Sequence, residues 1–136
     1  MQRSMQTRWR RQRGQSLLET AMMIVVIFTV VFWVFELGWL MYTYSVLADA
    51  ANEGVRYAIV HSGGDATGTQ TTVKTFAGTS LHNVSAMSIA VTFPDGSAAP
   101  PNRVRVTVSY TYVPYLKNYI NTPTLHTYAE GRIVVQ

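Results

Sequence analysis

Apolar residues are spread unevenly along this chain. From Leu17 to Phe35 they run almost without a break, interrupted only by Glu19, Thr20 and Thr29. As a helix rising about 1.5 Å per residue, that run reaches roughly 28 Å, close to the hydrocarbon thickness of a bilayer. From Ser45 the pattern changes. Polar residues Ser45, Asp49, Asn52 and Arg56 recur at helical spacing, while Leu47, Ala51, Gly54 and Ala58 follow another face. The pattern predicts one helix in two solvents, apolar all round and then amphipathic, ending at His61-Ser-Gly63-Gly64. Small residues at four-residue intervals, Ala50, Gly54 and Ala58, predict close packing of the second half, and a sheet is the expected partner.

Beyond the tandem glycines the period shortens. Gln70–Leu81 places Val73, Phe76, Ala77 and Leu81 on one face and reads as a short helix. Met87–Phe93 and Arg103–Val113 read as strands, the second with Val104, Val106, Val108, Tyr110 and Tyr112 on one face. Pro94-Asp-Gly96 to Pro100-Pro101 is turn chemistry between them, and Pro114 stops the second strand. Thr124–Val135 reads as a third strand interrupted by Gly131. The predicted fold class is α+β: a long N-terminal transmembrane and stalk helix packed on a small antiparallel sheet of three or four strands. The predicted division is a basic leader at 1–14, the helix at 15–60 and an outer domain at 61–136.

Charge sharpens the picture only when divided along the chain. Five of the eleven Lys and Arg residues (Arg3, Arg8, Arg10, Arg11 and Arg13) precede Gly14, and the remaining six face seven acidic residues. The formal charge of +4 therefore belongs to the leader. Basic residues flanking a spanning helix are retained on the cytoplasmic side, so the expected topology is N-terminus in and C-terminus out. A nucleic-acid arm is the weaker reading of these arginines. The leader shows no apolar periodicity and is expected to be disordered. With no cysteine, the chain offers neither disulfide nor thiolate metal site.

Glu19 asks for an explanation. A carboxylate well inside a spanning helix costs on the order of 2.5–3.5 kcal/mol on insertion scales. Its place near the membrane interface and the helix start partly excuses it. Cleavage after Gly14 would do more, since the chain would then begin at Gln15 with a new amine one helical turn from Glu19. In a packed array, that amine in one subunit could pair with Glu19 of the next. Here the sequence resembles the type IV prepilin signal: a basic leader ending in Gly14, a cut before Gln15, and Glu19 as the fifth mature residue. An ordinary secretory signal fits less well, because the only A-x-A-like site, Ala48-Asp49-Ala50, lies thirteen residues beyond Phe35.

A second resemblance covers roughly residues 11–60. Gly14-Gln-Ser-Leu-Leu-Glu19, its apolar helix, and the later Ala50 or Ala51, Glu53, Gly54, Arg56 and Ala58 are similar to the TadE-like family of pilus-assembly proteins. Trp39 departs from it, standing where an Arg is expected. The resemblance implies a minor pilin or pseudopilin of a tight-adherence (Flp) pilus, matured by a prepilin peptidase and associated with other pilins. Its place would be the bacterial inner membrane or the pilus itself. The rival from another class is a signal-anchored membrane protein whose outer domain binds a partner without entering a filament.

Catalytic chemistry is sparse. His61, His82 and His126 are scattered, and no H-E-x-x-H or metal-ligand spacing occurs. Gly63-Gly-Asp-Ala-Thr-Gly68 lacks the Lys-Ser/Thr of a phosphate loop and is expected to be a plain loop. Asn83-Val-Ser85 fits a glycosylation sequon, with nothing pointing to a eukaryotic secretory route. Tyr110, Tyr112, Tyr115 and Tyr119 cluster in sequence and read as core packing with amphipathic edges. No enzyme, cofactor, metal, nucleic acid or small-molecule substrate is expected.

Overall fold

The computed structural model describes residues 2–61, 65–115, 117 and 121–134, with side chains from residue 14 onward. Gly63, Gly64, Tyr119 and Val135, all invoked above, lie outside the described residues. Helix α1 runs from Gln2 to Val60, so the leader backbone is helical where disorder was expected. Its Arg, Gln and Met residues are good helix formers, and a helix already nucleated downstream extends at little cost. The chain divides into two compact units, Met1–Gly38 and Trp39–Gln136.

The first unit is helix alone. Its large apolar side chains are exposed from end to end, Leu17 and Phe35 each by 73%. Folding in water does not leave a surface of this kind uncovered. One described helix is long and apolar enough to cross a membrane, and it lies within Gly14–Val60. Its hydroxyls are satisfied within the helix, Thr20 donating to the Ser16 carbonyl at 2.9 Å and Thr29 to that of Val25 at 2.8 Å. Local pairing of this sort is what a hydrocarbon environment requires.

The second unit contains the rest of α1, helix α2 (Ala66–Gly78), a short 3-10 turn at Val84–Ala86, and strands β1 (Met87–Thr92), β2 (Arg103–Thr111) and β3 (Thr124–Arg132). The strands form one antiparallel sheet in the order β1-β2-β3. Met87 faces Tyr110 and Thr92 faces Arg105 across the first pair, while Arg103 faces Arg132 and Thr111 faces Thr124 across the second. The predicted alternation holds on β2. Val104, Val106 and Val108 are fully buried, as is Tyr112 beyond the strand end, while Tyr110 is half-buried.

Two helices cover that apolar face. The stalk half of α1 buries Leu47, Ala50, Ala51, Val55 and Ala58 in the same core as Val73 and Ala77 of α2 and the β2 valines. Ser45, Asp49, Asn52 and Arg56 remain exposed, as their periodicity predicts. A Cβ on Gly54 would clash with Val73 and come within 3.3 Å of Val106, so this position lets the stalk close on α2 and β2 together. Such closeness outweighs the roughly 1 kcal/mol of helix propensity that glycine costs.

Three expectations for this unit need correction. α2 begins at Ala66, not Gln70, so part of the supposed loop Gly63–Gly68 is helix. The reason is Asp65, whose carboxylate accepts from the Gly68 amide at 2.9 Å and caps the helix. Phe76, expected inward, is 40% exposed, and Thr69 takes a buried place beside Val73 and Ala77. Gly131 does not interrupt β3, where it pairs with Val104. Its missing side chain instead makes room for Val55 and Ile59 of the stalk.

Where the stalk ends, the His61 amide still donates to the Tyr57 carbonyl at 3.1 Å, and the Ile59 carbonyl accepts from Val134 at 3.4 Å. The segment following β3 thus satisfies a carbonyl that a helix end leaves over. At the β1–β2 turn, Gly96 adopts φ +93°, a conformation natural to glycine, and its amide donates to Phe93 at 3.0 Å.

Candidate functional site

Gly14 sits inside α1 with open space where a Cβ would be, a property it shares with Gly38. No packing explains it, in contrast to Gly54 and Gly131. The neighbouring Gln15 donates its side-chain amide to Glu19 Oε1 at 3.2 Å, one turn further on. Both residues are exposed. In the uncut chain, then, the carboxylate already has a local hydrogen-bond donor, supplied by the residue whose amine cleavage would free. Glu19 also borders a shallow apolar strip formed by Met22, Met23, Val26 and Ile27.

Stalk residues singled out by sequence separate into two roles. Ala50, Gly54 and Ala58 are buried against the domain core. Glu53 and Arg56 lie on the outer side and form an ion pair at 3.1 Å, three residues apart. Exposed pairs of this kind contribute at most about 1 kcal/mol. Trp39, the departure from the family pattern, rests against Tyr42 with ring centroids 5.5 Å apart, and its carbonyl accepts from the buried Thr43 hydroxyl at 2.9 Å.

The histidines occupy three separate places. His61 stacks on Tyr57 at 3.7 Å, His126 Nδ1 lies 2.8 Å from the Ser109 hydroxyl, and His82 lines a cleft beside Tyr110 and Tyr112. Among the described residues, no group of three or more His, Cys, Asp or Glu side chains is placed to hold a metal ion.

Sequence reasoning missed the polar face of the sheet. Arg105 and Glu130, directly opposite on β2 and β3, pair through their side chains, and the Arg105 guanidinium lies 5.2 Å from the Tyr128 ring centre. Arg103 joins Glu130 at 3.6 Å and Asp95 at 2.9 Å. Asp95 also accepts from the Arg103 backbone amide at 2.8 Å. The Arg103 side-chain hydrogen bonds, then that backbone bond, then the charges of Arg103 and Arg132 hold the Asp95 carboxyl down to about 2. The alternation of β2 placed these arginines outward, but only strand register chooses their partners.

Tyr57, Asp65 and Gly68 form another unpredicted group. The Tyr57 hydroxyl donates to Asp65 Oδ2 at 3.3 Å, beside the cap of α2. Desolvation pushes the phenol above its ordinary range, and the Asp65 charge and hydrogen bond add to the effect. A Cβ on Gly68 would collide with both partners.

An exposed apolar helix long enough to cross a membrane continues, among the described residues, as a stalk against a three-stranded antiparallel sheet, an α+β layout. Residues 14–56 match the model of the family described as TadE-like protein. The match takes in residues 14–19, the apolar run and most of the stalk residues singled out by sequence. No curated protein and no solved structure matches the chain.

Proposed function

We propose that this protein is a minor pilin or pseudopilin of a tight-adherence pilus, held in the inner membrane by residues 17–35 until assembly draws that helix into a bundle of like helices. In this reading a prepilin peptidase cuts between Gly14 and Gln15, the leader stays cytoplasmic, and the domain that follows the stalk lies outside.

The observation that carries the reading is the contrast among glycines. Gly54 and Gly131 are required by packing within this chain, whereas Gly14, like Gly38, stands mid-helix with open space around it, and of the two only Gly14 lies between a basic leader and Glu19. A glycine there costs the helix about 1 kcal/mol with no return in the fold. A requirement from outside the chain accounts for it: a peptidase that must approach the backbone closely. Its position five residues before Glu19 and next to a basic leader supports the same assignment. After the cut, the amine of Gln15 in one subunit meets Glu19 of a neighbour, and both charges leave lipid as a pair. Ala50, Gly54 and Ala58 keep the outer domain tight against the stalk while the apolar half of the helix is exchanged from lipid to protein.

The test is the intact mass and N-terminal sequence of protein purified from its own cells. A chain starting at Gln15 is expected. A chain retaining Arg8–Gly14 would leave only a signal-anchored domain, and a start near Ala51 would mean that the helix served export alone.

A further inference from the structure

Contacts of the stalk set the direction in which β2 runs. Gly131, opposite Val104 near the start of β2, packs on Val55 and Ile59; Gly54 packs on Val106; Trp39 and Thr43 share a cleft with Tyr110, Tyr112 and Val113. Moving along β2 from Arg103 to Val113 therefore moves back along the stalk from Ile59 to Trp39. Since Trp39 follows directly on Gly38 and the apolar run, the end of β2 and the segment after it lie at the end of the domain where the chain enters the membrane. The Pro94–Pro101 turn lies at the opposite end.

That membrane-side end has a distinctive surface. Val113 is 56% exposed and Tyr115 84%, and Trp39, Tyr42 and Tyr44 are exposed on the adjoining turns of the stalk. Lys117 is exposed just beyond. Between Trp39 and Tyr115 opens a cleft of about 510 Å³, whose lining includes Thr43, Tyr110, Tyr112 and Val113 together with the polar His82 and Asn83. Trp and Tyr rings with apolar bodies and polar edges favour the bilayer interface, and a lysine beside them can reach anionic headgroups.

We infer that Val113, Tyr115 and Lys117, together with Trp39, Tyr42 and Tyr44, form a second membrane contact, seating the domain in the interfacial layer of the bilayer that the helix spans. Continuity commits this surface to lipid, because it adjoins the point where the apolar run ends. The contact rests on the membrane placement proposed above. It fixes the orientation of the domain on the membrane, and it must be released whenever the helix is drawn out.

Because the chain contains no cysteine, single labels report cleanly. Val113→Cys and Tyr115→Cys, with Val26→Cys and Ala99→Cys as references, are labelled with an environment-sensitive fluorophore in the full chain. Each is reconstituted into phosphatidylcholine–phosphatidylglycerol vesicles with or without headgroup spin-labelled lipid. Labels at 113 and 115 are expected to emit to the blue of the label at 99 and to be quenched several-fold more strongly by the spin label. Quenching at 113 and 115 no greater than at 99, with the Val26 label buried in lipid, would overturn the second contact and leave the anchor standing. A Val26 label without lipid contact would overturn both. A blue shift without lipid quenching, lost on diluting the protein in lipid, would make a second copy of the chain the occupant and overturn the lipid assignment.

Discussion

Gly131 of β3 and Val55 of the stalk face each other so closely that a Cβ on the glycine would stand 2.5 Å from Val55 Cγ1. Ile59 Cγ2 would stand 3.1 Å away. Both neighbours are β-branched and stiff at χ1, so neither turns aside cheaply. Gly131→Ala should therefore destabilise the domain by about 1–3 kcal/mol, the usual cost of overpacking a core. Urea unfolding of the detergent-solubilised chain measures it. Val55→Ala on the Gly131→Ala background should recover part of the loss. Additive effects of the two substitutions would mean that they do not share this contact.

In the proposed assembly, Glu19 acts on registration between subunits and not on folding. Its only described hydrogen bond is with Gln15, on an exposed helix surface. Glu19→Gln and Glu19→Ala should insert and mature normally, with intact mass as the check, yet show reduced incorporation in sheared pilus fractions. Wild-type levels there would remove the registration role.

For Gly14, the expectation concerns processing alone. Nothing in the fold opposes a side chain at this position. Gly14→Leu should thus leave the domain's unfolding midpoint unchanged while full-length precursor accumulates in the membrane fraction. Normal maturation of this variant would move the cut elsewhere.

Asp95 gives the domain an acid limb. Its carboxyl is held down to about 2 by Arg103, below the ordinary 3.8. A group whose folded value is depressed binds its proton more readily in the unfolded chain. Its stabilisation is therefore complete above about pH 4 and disappears as the pH falls towards 2. Asp95→Asn should flatten this part of the stability–pH profile and leave the neutral region nearly level. An unchanged slope between pH 4 and 2 would assign the acid sensitivity to other carboxylates.

Asp65 joins the stalk end to α2 by accepting two separate hydrogen bonds, one from the Gly68 amide and one from the Tyr57 hydroxyl. Asp65→Ala should cost about 0.5–2 kcal/mol, as loss of an N-cap does. In the same variant the Tyr57 phenol should titrate at lower pH than in the parent, because a negative neighbour has gone. Ultraviolet absorbance during an alkaline titration reads this change. No shift would separate Tyr57 from the cap.

Much of this architecture is written in local pattern. The spanning run, the exposed and buried faces of the stalk and the inward valines of β2 each follow from a period of hydrophobicity, which depends only on residues near one another in sequence. The Gly14–Gln15–Glu19 signal is equally local, and its chemistry can be stated before any fold is known. Asp65 was legible too, as a capping residue before a helix, but the Gly-rich context drew attention to a loop.

Contacts between distant segments were decided by the tertiary structure alone. A glycine inside a strand pattern signals either an interruption or a close approach, and only the arrival of Val55 and Ile59 makes Gly131 the latter. Arg103 and Arg105 were readable as outward-facing, but the partners Asp95 and Glu130 depend on a turn and a strand register. Likewise Tyr110, Tyr112 and Tyr115 are neighbours in sequence with different burial, half-buried, buried and exposed, because the cleft they share with Trp39 exists only once the stalk lies along β2. Periodicity specifies which face of an element is apolar; packing alone specifies what that face meets.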